Sequence, residues 1–283
     1  MKLALALIPL AGCAQLLGLD DTRFDQKDAM VDAKSVCDGV MAQCVSSSGR
    51  SVCGQLVDTG TMAGVAVRAP GFTATTCVAP LAADGPCALS VYGQPVASYF
   101  AGTSTDRVAG VIDDCGRFAI PDVPATNADI AVVFDGAPIV ESTTLLLGRA
   151  TTPGEVDSGV AATIVRTATE SMWAQQIDSA NPPGLTGSFI ISYATTSSDP
   201  IKARVDGGGL QAVPTQPWGA YFTGRPFEAI DKTQLATLPT SSTVLVVPAS
   251  GMHTVDGSRP GKTCSSAMIQ AVGGAVIHIT LKC

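Results

Sequence analysis

Nine cysteines in 283 residues constrain this chain more than any other feature. None belongs to a Cys-x-x-Cys pair, and neither His253 nor His278 stands at a zinc-finger spacing from one. No metal site is expected, which leaves a disulfide framework and an oxidising compartment. An odd count leaves one cysteine unpaired, and in an exported chain that residue needs its own explanation. Six of the nine (Cys37, Cys44, Cys53, Cys77, Cys87 and Cys115) crowd residues 37–115, where their spacing does not select a pairing.

Charged residues make up only 14% of the chain, against 29 glycines and 18 prolines. Abundant Thr, Ser, Ala and Val between such turn formers predict an all-β protein with many loops. The net charge of −7 argues against nucleic acid, because phosphate binding rests on a surplus of Lys and Arg. No polybasic run is present to hold an anionic lipid surface.

The N-terminus accounts for the odd cysteine. Lys2, the apolar stretch Leu3–Leu10 and the small pair Ala11-Gly12 precede Cys13. That order of charge, short apolar core and small residues is a secretory signal, and its apolar core is far below the ~20 residues that span a bilayer. With a cysteine at the cleavage point it resembles the lipobox of bacterial lipoproteins. The resemblance implies removal of residues 1–12, a lipid on Cys13, and membrane attachment through that lipid. Eight cysteines then remain, an even number. Ala14 after Cys13, where Asp would retain the protein, implies the outer membrane.

Residues 13–50 read as the lipidated cysteine and an acidic tether holding Asp20, Asp21, Asp25, Asp28 and Asp32. A first domain is expected over 51–150, with strands at Ser51–Asp58, Gly64–Arg68, Ala88–Tyr92, Val108–Ile112, Arg117–Ile120 and Ile130–Phe134. Residues 151–183 read as a linker carrying one helix, Thr167–Ser179, capped by Thr169 and ended by Asn181-Pro182-Pro183-Gly184. Met172, Trp173 and Ile177 share a face of it, with Trp173 as a packing anchor. A second domain over 184–283 has strands at Ser188–Thr196, Ile201–Val205, Gly219–Thr223, Thr243–Pro248 and Ala275–Lys282. If Gly273-Gly274 forms a two-residue hairpin turn, Cys264 falls opposite Cys283 and the two form a disulfide. A short helix over Ser265–Val272 would require another geometry.

Asp113-Asp114-Cys115-Gly116-Arg117-Phe118-Ala119-Ile120-Pro121-Asp122-Val123-Pro124 resembles the signature of carboxypeptidase regulatory-like domains. Val52–Asp58 with Gly64–Val67 is similar to that family's first hairpin. Gly116 permits a positive φ in the turn, while Phe118 and Ile120 share one face. The resemblance implies a small Greek-key β-sandwich of transthyretin or immunoglobulin-like type, without catalysis. Cys115 departs from the pattern and suggests a turn pinned by a disulfide. Gly187–Tyr193, Ala203–Val205 and Asp206–Gly209 echo it more weakly, so two such sandwiches in tandem are expected. The whole layout is similar to lipoproteins of myxobacteria and their relatives, which implies no particular activity.

Catalytic motifs are missing. A metallocarboxypeptidase needs His-x-x-Glu, and neither His253 nor His278 begins one. Two histidines permit a Ser-His-Asp triad in principle, but no Gly-x-Ser-x-Gly elbow occurs. Gly257–Thr263 is one residue short of a phosphate loop, and Pro260 removes a backbone donor. Asp113, Asp114 and Asp122 lack a calcium-ligand spacing. The expectation is a cofactor-free, non-enzymatic envelope lipoprotein that binds another envelope protein or a glycan. The alternative is a carbohydrate-binding or accessory module of an envelope hydrolase system, with Trp218, Tyr221 and Phe222 as its ligand platform.

Overall fold

The computed structural model describes residues 44, 49–59, 64–67, 87–124, 129–148, 154–194, 199–206, 219–222, 229–232, 237, 243–246 and 251–283. Most of these are strand, in line with the composition. The strands are β1 (Arg50–Asp58), β2 (Ser90–Pro95), β3 (Val108–Ala109), β4 (Val111–Ile112), β5 (Arg117–Val123), β6 (Ile130–Asp135), β7 (Ile139–Leu146) and β8 (Val156–Arg166). They continue as β9 (Phe189–Ala194), β10 (Lys202–Val205), β11 (Gly219–Phe222), β12 (Thr243–Val246), β13 (Met252–Arg259), β14 (Lys262–Thr263), β15 (Ala267–Gln270) and β16 (Ala275–Lys282). Among the described residues two helices join them, α1 (Val96–Phe100) and α2 (Thr167–Ile177).

Strand pairing arranges these elements in layers. A twelve-stranded sheet, continuous through the β7–β8 pairing, supplies one layer, β4-β5-β1-β8, and a second, β3-β2-β6-β7-β16-β9-β12-β11; a four-stranded sheet of β10, β13, β14 and β15 is the third. The second layer is the middle one. Residues paired across adjacent strands face the same side, and Ile130, Val132 and Phe134 of β6 join a core with Val52, Leu56, Phe118 and Ile120 of the first layer. Ala131 and Val133, facing the other way, join Val255 and Ile269 of the third layer. Strand β6 is thus buried on both faces, which is why it reads as an unbroken apolar run. Further along the middle layer, Ile190 and Val276 meet α2 in a third core.

Strands from both expected domains thus share the middle layer. Residues 151–183 hold the eleven-residue β8, which pairs in parallel with β1, as well as the helix. Strand β16 pairs in parallel with both β7 and β9, so hydrogen bonding runs continuously from one expected domain to the other.

The segment Asp113–Gly116 forms the β4–β5 turn. The Asp113 carboxylate accepts from Arg117 N at 2.9 Å and from Arg117 Nε at 2.6 Å, and Gly116 adopts φ +73. A Cβ on Gly116 would lie 1.8 Å from the Val65 carbonyl oxygen, so no other residue fits. Phe118 and Ile120 both enter the first core, where Phe118 meets Phe134 edge-on at 5.2 Å.

Cys264 and Cys283 are joined by a disulfide, with Cα atoms 4.0 Å apart. Ala275 N donates to the Val272 carbonyl at 3.2 Å, closing the Gly273-Gly274 turn, and Ser265 N donates to the Lys282 carbonyl at 2.7 Å. Both contacts keep the register of a two-residue turn. Between them the chain leaves β16, and β15 pairs with β13 in the third layer instead. The disulfide therefore ties the third layer to the middle one. Replacing both cysteines by serine should cost about 3 kcal/mol for a loop of this size, read as a lower urea midpoint. A second disulfide joins Cys44 to Cys53, and Cys87 and Cys115 are each disulfide-bonded.

Helix α2 starts two residues before the expected cap. Arg166 precedes it without a side-chain cap, and Thr169 lies buried within it. Its polar residues tie down neighbouring loops: Glu170 Oε1 accepts from Leu185 N at 3.2 Å, and Gln176 Oε1 from Ile230 N at 2.8 Å. Trp173 is buried beside Ile177, Leu185, Ile190 and Val276, an anchor between helix and middle layer.

Candidate functional site

Cys13, Cys37, Cys77 and Trp218 lie outside the described residues. Of the expected ligand platform, Tyr221 and Phe222 sit on β11, opposite Val244 and Thr243. Tyr221 packs against the third core, and burial, followed by the Asp178 charge, raises its phenol pKa. Its ring is only partly buried there.

The two histidines each carry part of a catalytic constellation, and the parts are separated. Ser192 Oγ lies 2.8 Å from His278 Nε2, but His278 Nδ1 is buried without a hydrogen-bond partner. His253 Nδ1 lies 2.8 Å from Asp206 Oδ2, but its Nε2 is buried and unpartnered. A hydrolytic triad needs nucleophile and acid on opposite nitrogens of one imidazole. Among the described residues neither ring has both.

Asp206 sits in a left-handed conformation at φ +51. Burial raises its pKa, but the hydrogen bonds from His253 and from Thr254 N outweigh that and hold the carboxyl below its usual range. The pair closes the turn after β10 onto β13, where Asp206 N donates to the Thr254 carbonyl at 2.7 Å.

His278 belongs to a polar seam inside the middle layer. It stands opposite Thr144 of β7, whose neighbour on that face is Ser142. Backbone pairing of β7 with β8 covers only Ile139↔Arg166 and Val140↔Val165. Beyond that point Ser142 Oγ accepts from Val165 N and Thr144 Oγ1 from Thr163 N, each at 3.0 Å. The hydroxyls satisfy donors that a separating ladder would leave orphaned. Burial lowers the His278 pKa to about 4 from 6.5. Between those values the unfolded chain binds the proton and the native one does not, so stability is full above pH 6.5 and falls as pH drops toward 4. The loss is on the order of 3 kcal/mol. Urea unfolding at pH 7 and pH 4 should show a decrease smaller by that amount in His278→Asn than in the parent chain.

A second cluster is more exposed. Tyr92 and Gln94 of β2, Glu141 and Thr143 of β7, and Tyr99 of α1 gather on the face of the middle layer that carries the second core. Arg107 stacks over the Tyr92 ring at 4.6 Å and donates from Nε to Gln94 Oε1 at 3.3 Å. Tyr99 Oη accepts from Thr143 Oγ1 at 2.8 Å and donates to Glu141 Oε1 at 3.4 Å. Phe134 pairs with Ser142, so Asp135 and Glu141 follow as neighbours at the end of that ladder. Burial, reinforced by the Asp135 charge, raises the Glu141 pKa, and burial likewise pushes Tyr92 up to about 12. Carboxylates, phenols and a guanidinium in one partly exposed patch can hold polar ligands by charge and hydrogen bonds. Sequence reasoning missed it because four elements supply it.

No group of three or more His, Cys, Asp or Glu suited to a metal occurs among the described residues. None of their helices is long and apolar enough to cross a membrane. No protein-family model matches the chain, and neither does any curated protein sequence.

Proposed function

We propose that this is a non-catalytic lipoprotein of the bacterial cell envelope, held to the outer membrane by a lipid on Cys13. Two β-sandwich cores of Greek-key type, built on a common middle layer, present loops to an envelope protein or a glycan. The observation that carries the reading is the state of the cysteines. All six described ones are disulfide-bonded, which suits an exported chain whose one odd cysteine is reserved for lipid. The split between the two histidines argues against a Ser-His-Asp triad built on either ring among the described residues. Expression with a clickable palmitate analogue tests the anchor. Label should enter the parent chain and be lost in Cys13→Ser; equal labelling of both would refute it.

A further inference from the structure

Four large apolar side chains are exposed among the described residues: Val111, Val156, Met252 and Met268. The two methionines are also the pair that topology brings together. Thr254 of β13 stands opposite Met268 of β15, and Met252 opposite Gln270, so both thioethers lie on the outer face of the third layer as diagonal neighbours. Their residues are 52% and 69% exposed, while His253, Val255 and Ile269 on the reverse face are buried.

We infer that Met252 and Met268 form a binding site for a soft monovalent metal ion, copper(I), held between their two sulfurs. Diagonal neighbours on a sheet have Cα atoms roughly 7–8 Å apart, within reach of long side chains. One ion between two donors needs sulfurs at most about 4.6 Å apart, twice a metal–sulfur bond of ~2.3 Å. Two flexible thioethers close that gap by rotamer choice, with the β13–β15 ladder left intact.

Size decides between an ion and a macromolecule. A specific protein interface buries about 800 Å² on each partner. Among the described residues the apolar patch here is two side chains, bounded by Thr254, Gln270 and the Arg204–Asp256 ion pair at 2.7 Å. An ion requires only the donors, and thioethers are soft donors that favour copper(I). The Asp206 side chain, 54% exposed and bound to Thr254 N, adds a negative charge beside the pair. The six described cysteines are locked in disulfides and offer no competing thiolate. His253 faces the other side of β13.

The test is anaerobic copper(I) titration of the folded chain, with its methionines labelled at the methyl carbon. Two methyl signals should shift together and saturate at one equivalent. In Met252→Leu or Met268→Leu the remaining partner should need at least ten-fold more copper(I). Both side chains face solvent, so these variants keep the fold, which unchanged amide spectra would verify. Independent titration of the two methyls, an unaltered response in either variant, or shifts confined to other methionines would each overturn the site.

Discussion

Asp157→Ala should destabilise the protein by about 3–5 kcal/mol, among the largest losses any single substitution here would cause. Asp157 and Arg50 form an ion pair inside the first layer, with side chains 5% and 1% exposed. They sit on parallel neighbours, where Val52 of β1 stands opposite Asp157 of β8. The register then shifts before Gly54 meets Val160, and Gly159 takes φ +70 in the bulge. Removing the carboxylate breaks a buried ion pair at the guanidinium, a far larger cost than losing an exposed pair. The double variant Arg50→Met/Asp157→Leu removes both charges and should recover much of the loss. Urea unfolding of the two variants checks this, and a cost below about 1 kcal/mol for Asp157→Ala would mean that the pair is effectively solvated.

Trp173→Ala should cost a similar amount, about 3–5 kcal/mol for a large buried aromatic. Trp173 is the largest of the fully buried side chains among the described residues and joins α2 to the middle layer. Its loss opens a cavity beneath the helix, against Ile190 and Val276, that the rigid sheet on one side cannot fill. The helix is short and lacks a side-chain N-cap, so packing rather than propensity holds it in place. A thermal midpoint lowered by less than two degrees would contradict that role.

What could be read from the sequence depended on how local the signal was. Strand β16 announced itself by length and flanking glycines, and β5 by Gly116 and the Phe118–Ile120 alternation. Strand β7 did not. Its interior Glu141-Ser142-Thr143-Thr144 reads as loop, because those side chains satisfy β8 amides and a buried tyrosine instead of filling a core. Strand β13 was hidden similarly by His253, Asp256 and Gly257. The shared middle layer was out of reach, since β1 with β8 and β16 with β7 pair in parallel across more than a hundred residues. Parallel pairing leaves no turn to read. The Cys264–Cys283 link followed from a turn register that holds at both ends of its loop, although the strand between them pairs elsewhere. Ser192 and His278 meet only through the β9–β16 register, which no motif records.

Intact mass spectrometry of the protein purified from membranes, with and without prior alkylation of free thiols, tests the central claim most directly. The account predicts a chain that begins at Cys13, carries lipid mass on that residue and gains nothing from alkylation until it is reduced. A chain that retains residues 1–12 without lipid, or that alkylates before reduction, would contradict it.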